Sequence, residues 1–64
     1  MSDVERIMLE CRYILSLNKG YFELANLFNI SIIDVYDDLN NKLPNIDITL
    51  YQRVNKVLKK KSWS

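Results

Sequence analysis

Apolar residues along this chain recur at intervals of three and four and never alternate, so each segment long enough to read predicts an amphipathic helix. Val4, Ile7, Met8, Cys11, Ile14 and Leu15 form one such stripe and predict a helix over 3–17, facing inward and capped by Ser2 or Asp3. Its exit is expected at Asn18-Lys19-Gly20, with Gly20 supplying the backbone freedom. A short second helix over 21–28 turns Leu24, Ala25 and Phe28 inward. Asn29 then suits a left-handed turn, and Ser31 with Asp34 three residues on resembles a capping box. The helix that follows, over 32–42, puts Ile32, Val35, Tyr36, Leu39 and, by extension, Leu43 in one arc. Ile33, Asp34, Asp37, Asn40 and Asn41 occupy the other arc. Pro44 is expected to stop this helix, and Asn45 or Asp47 to start a last one over 48–60. There Leu50, Val54, Val57 and Leu58 face inward, and Arg53, Lys56 and the terminal lysines mostly outward.

The expected fold is therefore all-α, a small four-helix domain spanning 1–64 with a short basic tail from about 59 to 64. Composition supports this: apolar residues make up 48% of 64, while Gly and Pro occur once each, which argues against disorder and against a turn-rich β design. A domain of this size buries only about 60% of the surface its unfolded chain exposes, so its stability margin is modest. One cysteine cannot make an internal disulfide, and the first fifteen residues hold no uninterrupted apolar run. A cytoplasmic protein is expected, without a membrane span.

Charge is divided unevenly. Residues 1–47 hold all eight acids against four bases, whereas residues 48–64 hold five bases and no acid. The basic end either meets an anionic partner or complements the negative end of the last helix.

Residues 24–39 have the spacing of a helix-turn-helix. Ala25 is small where two helices cross closely, Asn29 makes the turn four residues later, Ile30 fills the corner, and Val35 and Leu39 hold the second helix down. Docked in a major groove, that helix would present Ser31, Ile33, Tyr36, Asp37 and Asn40, with Arg53, Lys56, Lys59, Lys60 and Lys61 left for phosphates. Ile33 could touch a thymine methyl. Yet the stretch carries Asp34, Asp37 and Asp38 and no base, and carboxylates repel phosphates. Asp34 has a capping role open to it, whereas Asp37 has no evident structural duty. The competing expectation is a protein-docking face built on Asp34, Asp37 and Asn41. Trp63 offers a stacking surface or is a loosely packed terminal residue. Cys11 reads as a small core residue.

Catalysis has little support. The chain lacks His, a second Cys and a Gly-rich phosphate loop, and Asp37 and Asp38 point to diverging faces, so no enzyme, cofactor or metal is expected.

Leu24-Ala25, Phe28, Ile30-Ser31, Val35 and Asp38-Leu39 follow a pattern shared by DeoR-type repressors and the stage III sporulation protein D family. Leu43-Pro44-Asn45-Ile46, then Leu50, Val54 and Leu58, looks like the sporulation family, and the resemblance covers roughly residues 5 to 60. It implies a small monomeric transcription factor that reads the major groove and adds DNA contacts from a basic C-terminal segment. That family typically carries Lys, Ser, Thr, His and Lys where this chain has Ile32, Ile33, Asp34, Tyr36 and Asp37. Every polar groove-facing group except Ser31 is thus replaced, and the basic segment is short.

Overall fold

The computed structural model describes residues 2–60. Its elements are α1 (Asp3–Leu17), α2 (Tyr21–Phe28), α3 (Ile32–Asp37), a π turn (Asp38–Lys42), α4 (Leu43–Ile46) and α5 (Ile48–Lys60). No strand occurs among the described residues. Backbone torsions stay helical from α3 through the π turn into α4, so these three pieces make one continuous rod and the four expected helices are present. The tail from Lys61 onward, including Trp63, lies outside the described residues.

Helix ends show how local chemistry sets the boundaries. Ser2 caps α1 by accepting the Glu5 N–H at 3.2 Å, Ser31 caps α3 through the Asp34 N–H at 3.1 Å, and Asp47 accepts the Leu50 N–H at 3.0 Å at the start of α5. The capping box at Ser31 is only half made: among the described residues no bond returns from the Asp34 carboxylate to Ser31, because aspartate is one methylene shorter than the usual glutamate. The left-handed exit of α1 falls to Asn18 (φ 57°), not Gly20. Gly20 is extended instead and donates its N–H to Glu23 Oε1 at 3.0 Å as the entry to α2. Asn29 is left-handed as expected (φ 55°), and the Ile30 N–H closes the turn on the Ala25 carbonyl at 3.0 Å.

Pro44 does not stop its helix. A proline ring collides with the carbonyl four residues back, here that of Asn40. The wider π turn, closed by the Leu43 N–H on the Asp38 carbonyl, shifts the preceding carbonyls and lets the chain continue to Ile46. Side-chain amides fill in: Asn40 donates to the Tyr36 carbonyl at 3.0 Å and Asn45 to the Asn41 carbonyl at 3.2 Å.

The core takes Ile7, Cys11 and Ile14 from α1, Leu24 from α2, Val35 from α3, Leu39 from the π turn, Leu43 from α4 and Val54 from α5. Around it α2 packs on α3, and α1 packs on both α5 and the π turn. Cys11 is buried as expected, and desolvation pushes its thiol up to about 11, so it is inert at neutral pH. Val4 and Met8, expected inward, are about half exposed. The buried stripe of α1 is Ile7, Glu10, Cys11 and Ile14, so the helix is rolled toward a carboxyl group and away from Val4 and Met8.

Ala25 is partly buried against the core where α2 meets α3. Ala25→Leu is expected to cost roughly 1–3 kcal/mol by forcing volume into that crossing, read as a lower melting temperature. An unchanged melting temperature would mean that the two helices do not approach closely there.

Candidate nucleic-acid interface

The exposed surface of α3 begins at its cap. Ser31 is exposed with its hydroxyl oxygen engaged by the helix, and Ile33 is the most open large apolar residue described, at 75% exposure. Asp34 is exposed beside it. Tyr36, expected partly in the core arc, is 47% exposed, with its ring 5.7 Å from that of Tyr21 on α2. It is a rim residue whose outer face remains available.

Two further expected contact residues are already committed elsewhere. Asn40 donates to the Tyr21 hydroxyl at 3.0 Å as well as to the Tyr36 carbonyl, so both of its amide protons hold α2, α3 and the π turn together. Asp37 accepts from Asn41 at 2.7 Å and lies 3.9 Å from Lys42 Nζ. The expectation that Asp37 has no structural duty is therefore corrected. The structure leaves Ser31, Ile33, Asp34 and Tyr36 exposed and gives Asp37, Asn40 and Asn41 internal bonds.

The acids of this segment are also less exposed as charge than their number suggests. Asp38 is buried at 1% exposure and takes a forked pair of bonds from Arg6, 2.9 Å from Nε and 2.8 Å from a terminal nitrogen. Lys42 Nζ stands 3.6 Å from Asp38, 3.6 Å from Asp3 and 3.9 Å from Asp37. Only Asp34, of the three aspartates, meets no cation among the described residues.

Arg53, Lys56, Lys59 and Lys60 are exposed on α5, which packs on α1 and α4. Arg53 lines an open groove of about 720 Å³ with Arg12, over Val4, Met8, Leu15 and Leu50. Sequence reasoning passed over Arg12, because a single base on the polar side of a helix carries no signal until a second helix brings another beside it. Lys61 lies outside the described residues.

Sequence reasoning also missed Glu10. Its side chain is fully buried, and neither carboxylate oxygen has a hydrogen-bond partner among the described residues. What it faces is a second acceptor, the Asp38 carboxylate. Burial first, and that neighbour second, push the Glu10 carboxyl up to about 8 against the pull of Arg6 and Lys42. At neutral pH Glu10 thus holds its proton and can donate it to Asp38, which turns an unsatisfied pair of acceptors into a bonded one.

No cluster of metal-ligating residues occurs among the described residues, and no helix among them is long and apolar enough to cross a membrane.

A small all-helical domain that exposes a short helix beyond a three-residue turn, with cations gathered on its last helix, has the features of a transcription regulator. The chain matches the model of the family described as stage III sporulation protein D over residues 3–63, and it belongs to that family. The family is one of DNA-binding regulators of sporulation rather than of enzymes. No curated protein and no solved structure matches the chain.

Proposed function

We propose that this protein binds duplex DNA as a regulator, with α2 and α3 as a helix-turn-helix that seats α3 in the major groove. The observation that carries this reading is the internal neutralisation of α3 and the π turn. Arg6 forks onto the buried Asp38 and Lys42 stands beside Asp37, so the approach to phosphate meets two carboxylates at the surface, Asp34 and a half-exposed, partly offset Asp37, instead of three. Ser31, Ile33 and Tyr36 are then the groove-facing residues, and Ile33 contributes apolar contact to a thymine methyl. Asp37 and Asn40 keep their internal bonds and position α3. Arg53, Lys56, Lys59 and Lys60, joined by Lys61, supply phosphate contacts that raise affinity without reading sequence.

The second reading is a protein-docking face on Asp34, Asp37 and Asn41. Asp34 favours it most, since the half-exposed Asp37 and the exposed Asn41 bond to each other. Binding to a random duplex pool at low and moderate salt separates the two. Each phosphate contact adds about −0.9 to the slope of log affinity against log salt. Replacing Lys59, Lys60 and Lys61 with Gln is expected to flatten that slope by roughly two to three units. An unchanged slope would remove the basic segment from the mechanism, and absence of duplex binding at low salt would leave the docking face as the reading.

A further inference from the structure

Glu10 on α1 and Asp38 in the π turn are both shut off from solvent, at 0% and 1% exposure, and the one guanidinium bonded there, that of Arg6, forks onto Asp38. The arrangement is complete only with a proton between the carboxyl groups, because neither Glu10 oxygen has a hydrogen-bond donor within reach among the described residues. The other charged groups around it do not supply a substitute. On α1, Asp3 lies 3.8 Å from Arg6 and adds negative charge, and the Cys11 thiol follows Glu10 in the buried stripe. From the π turn, Lys42 reaches Asp38 at 3.6 Å but is 43% exposed and shared with Asp3 and with Asp37 of α3. At the cap of α5, Asp47 is a further acid, close enough to Cys11 to help raise its thiol.

We propose that Glu10, Asp38 and Arg6 form a proton-operated latch that fastens the π turn to α1. With the proton in place, Glu10 donates to Asp38 and the turn is held. Without it, two buried carboxylates confront one guanidinium and the turn loosens. The π turn also carries Asn40, whose amide ties Tyr21 of α2 to the end of α3, so its release reaches the exposed helix pair. The sensitive range overlaps neutral to mildly alkaline conditions, which makes the latch a route by which pH sets the order of the α2–α3 surface. Its effect on DNA rests on the function proposed above, whereas the latch itself is read without DNA.

The test follows the Glu10 carboxyl carbon by NMR between pH 4 and pH 10 in the full chain, together with amide-exchange protection factors for Leu39 to Leu43. The expected result is a Glu10 titration well above the ordinary glutamate value of 4.5. Protection in the π turn should fall at least about tenfold across that titration, as a local opening would produce. Glu10→Gln keeps a neutral donor toward Asp38, and its protection factors are expected to stay flat. A Glu10 carbon that titrates in the ordinary range would overturn the latch, and this measurement needs no variant should Glu10→Gln fold poorly. Glu10→Gln losing protection in parallel with the parent would overturn it equally. If duplex binding fails while the titration and the exchange behave as expected, the latch stands and the DNA reading falls.

Discussion

Arg6→Ala is expected to be the most damaging single substitution outside the apolar core. It removes both bonds of the fork on Asp38 and leaves that carboxylate, 1% exposed, beside a buried Glu10 with only the half-exposed Lys42 nearby. Breaking a buried pair by deleting one partner costs about 3–5 kcal/mol, because the remaining charge stays desolvated. A stable small domain has only about 5–15 kcal/mol in total, and a chain of this length sits at the low end. Urea or thermal unfolding should therefore show a population largely unfolded near 37 °C. Asp38→Asn should cost less, since Arg6 keeps 25% of its side chain in water and can turn outward. Equal stability of Arg6→Ala and the parent would show that the fork contributes nothing, and the account of how the π turn is anchored would fail with it.

The second large effect is on the pH dependence of stability. The native Glu10 carboxyl is raised from an ordinary value of 4.5 to about 8, so between those values the folded protein holds a proton that the unfolded chain has released. Stability falls as pH rises wherever the native state binds more protons, so the loss runs through that window and levels off above it. The size is several kcal/mol, and each kcal/mol is worth roughly 4 to 8 °C of melting temperature in a domain this small. Calorimetry of the parent should show a lower melting temperature at pH 8 than at pH 5, and Glu10→Gln should remove most of the difference. A parent that melts higher at pH 8 would reverse the sign and contradict a buried, protonated Glu10.

What the sequence made legible was what neighbours in the chain determine. Ser2, Ser31 and Asp47 cap helices because each sits before an apolar-periodic run, and Asn29 turns left-handed because few residues tolerate that backbone. The core residues from Ile7 to Val54 followed from spacing alone. Gly20 and Pro44 misled for one reason: in each case a neighbour had already resolved the geometry. Asn18 had already made the left-handed exit, and the π turn had already moved the carbonyl that Pro44 would strike.

The candidate site was less legible because its decisive contacts are distant in sequence. Arg6 and Asp38 are 32 residues apart, and nothing in the periodicity of either helix marks them as partners. Without that pair, Asp38 counts as a third repelling acid and Glu10 as an ordinary polar residue on α1. Asp37 was miscounted on a shorter scale, since its i, i+4 pairing with Asn41 lies within the expected helix over 32–42 and was not weighed. Folding offsets part of the acidic composition: Asp38 is buried on Arg6, whereas Asp34 and Asp37 stay at the surface.

In the proposed function the surface of Ser31, Ile33 and Tyr36 reads base edges while the α5 cations hold phosphate. Repeated selection from a random duplex pool, carried out with the parent and with an Ile33→Ala, Tyr36→Ala double variant, tests it most directly. The parent is expected to enrich a defined sequence, and the variant to keep its salt-dependent affinity while losing the enrichment. An identical enriched sequence from both proteins, or none from the parent at a salt concentration where it still binds, would contradict it.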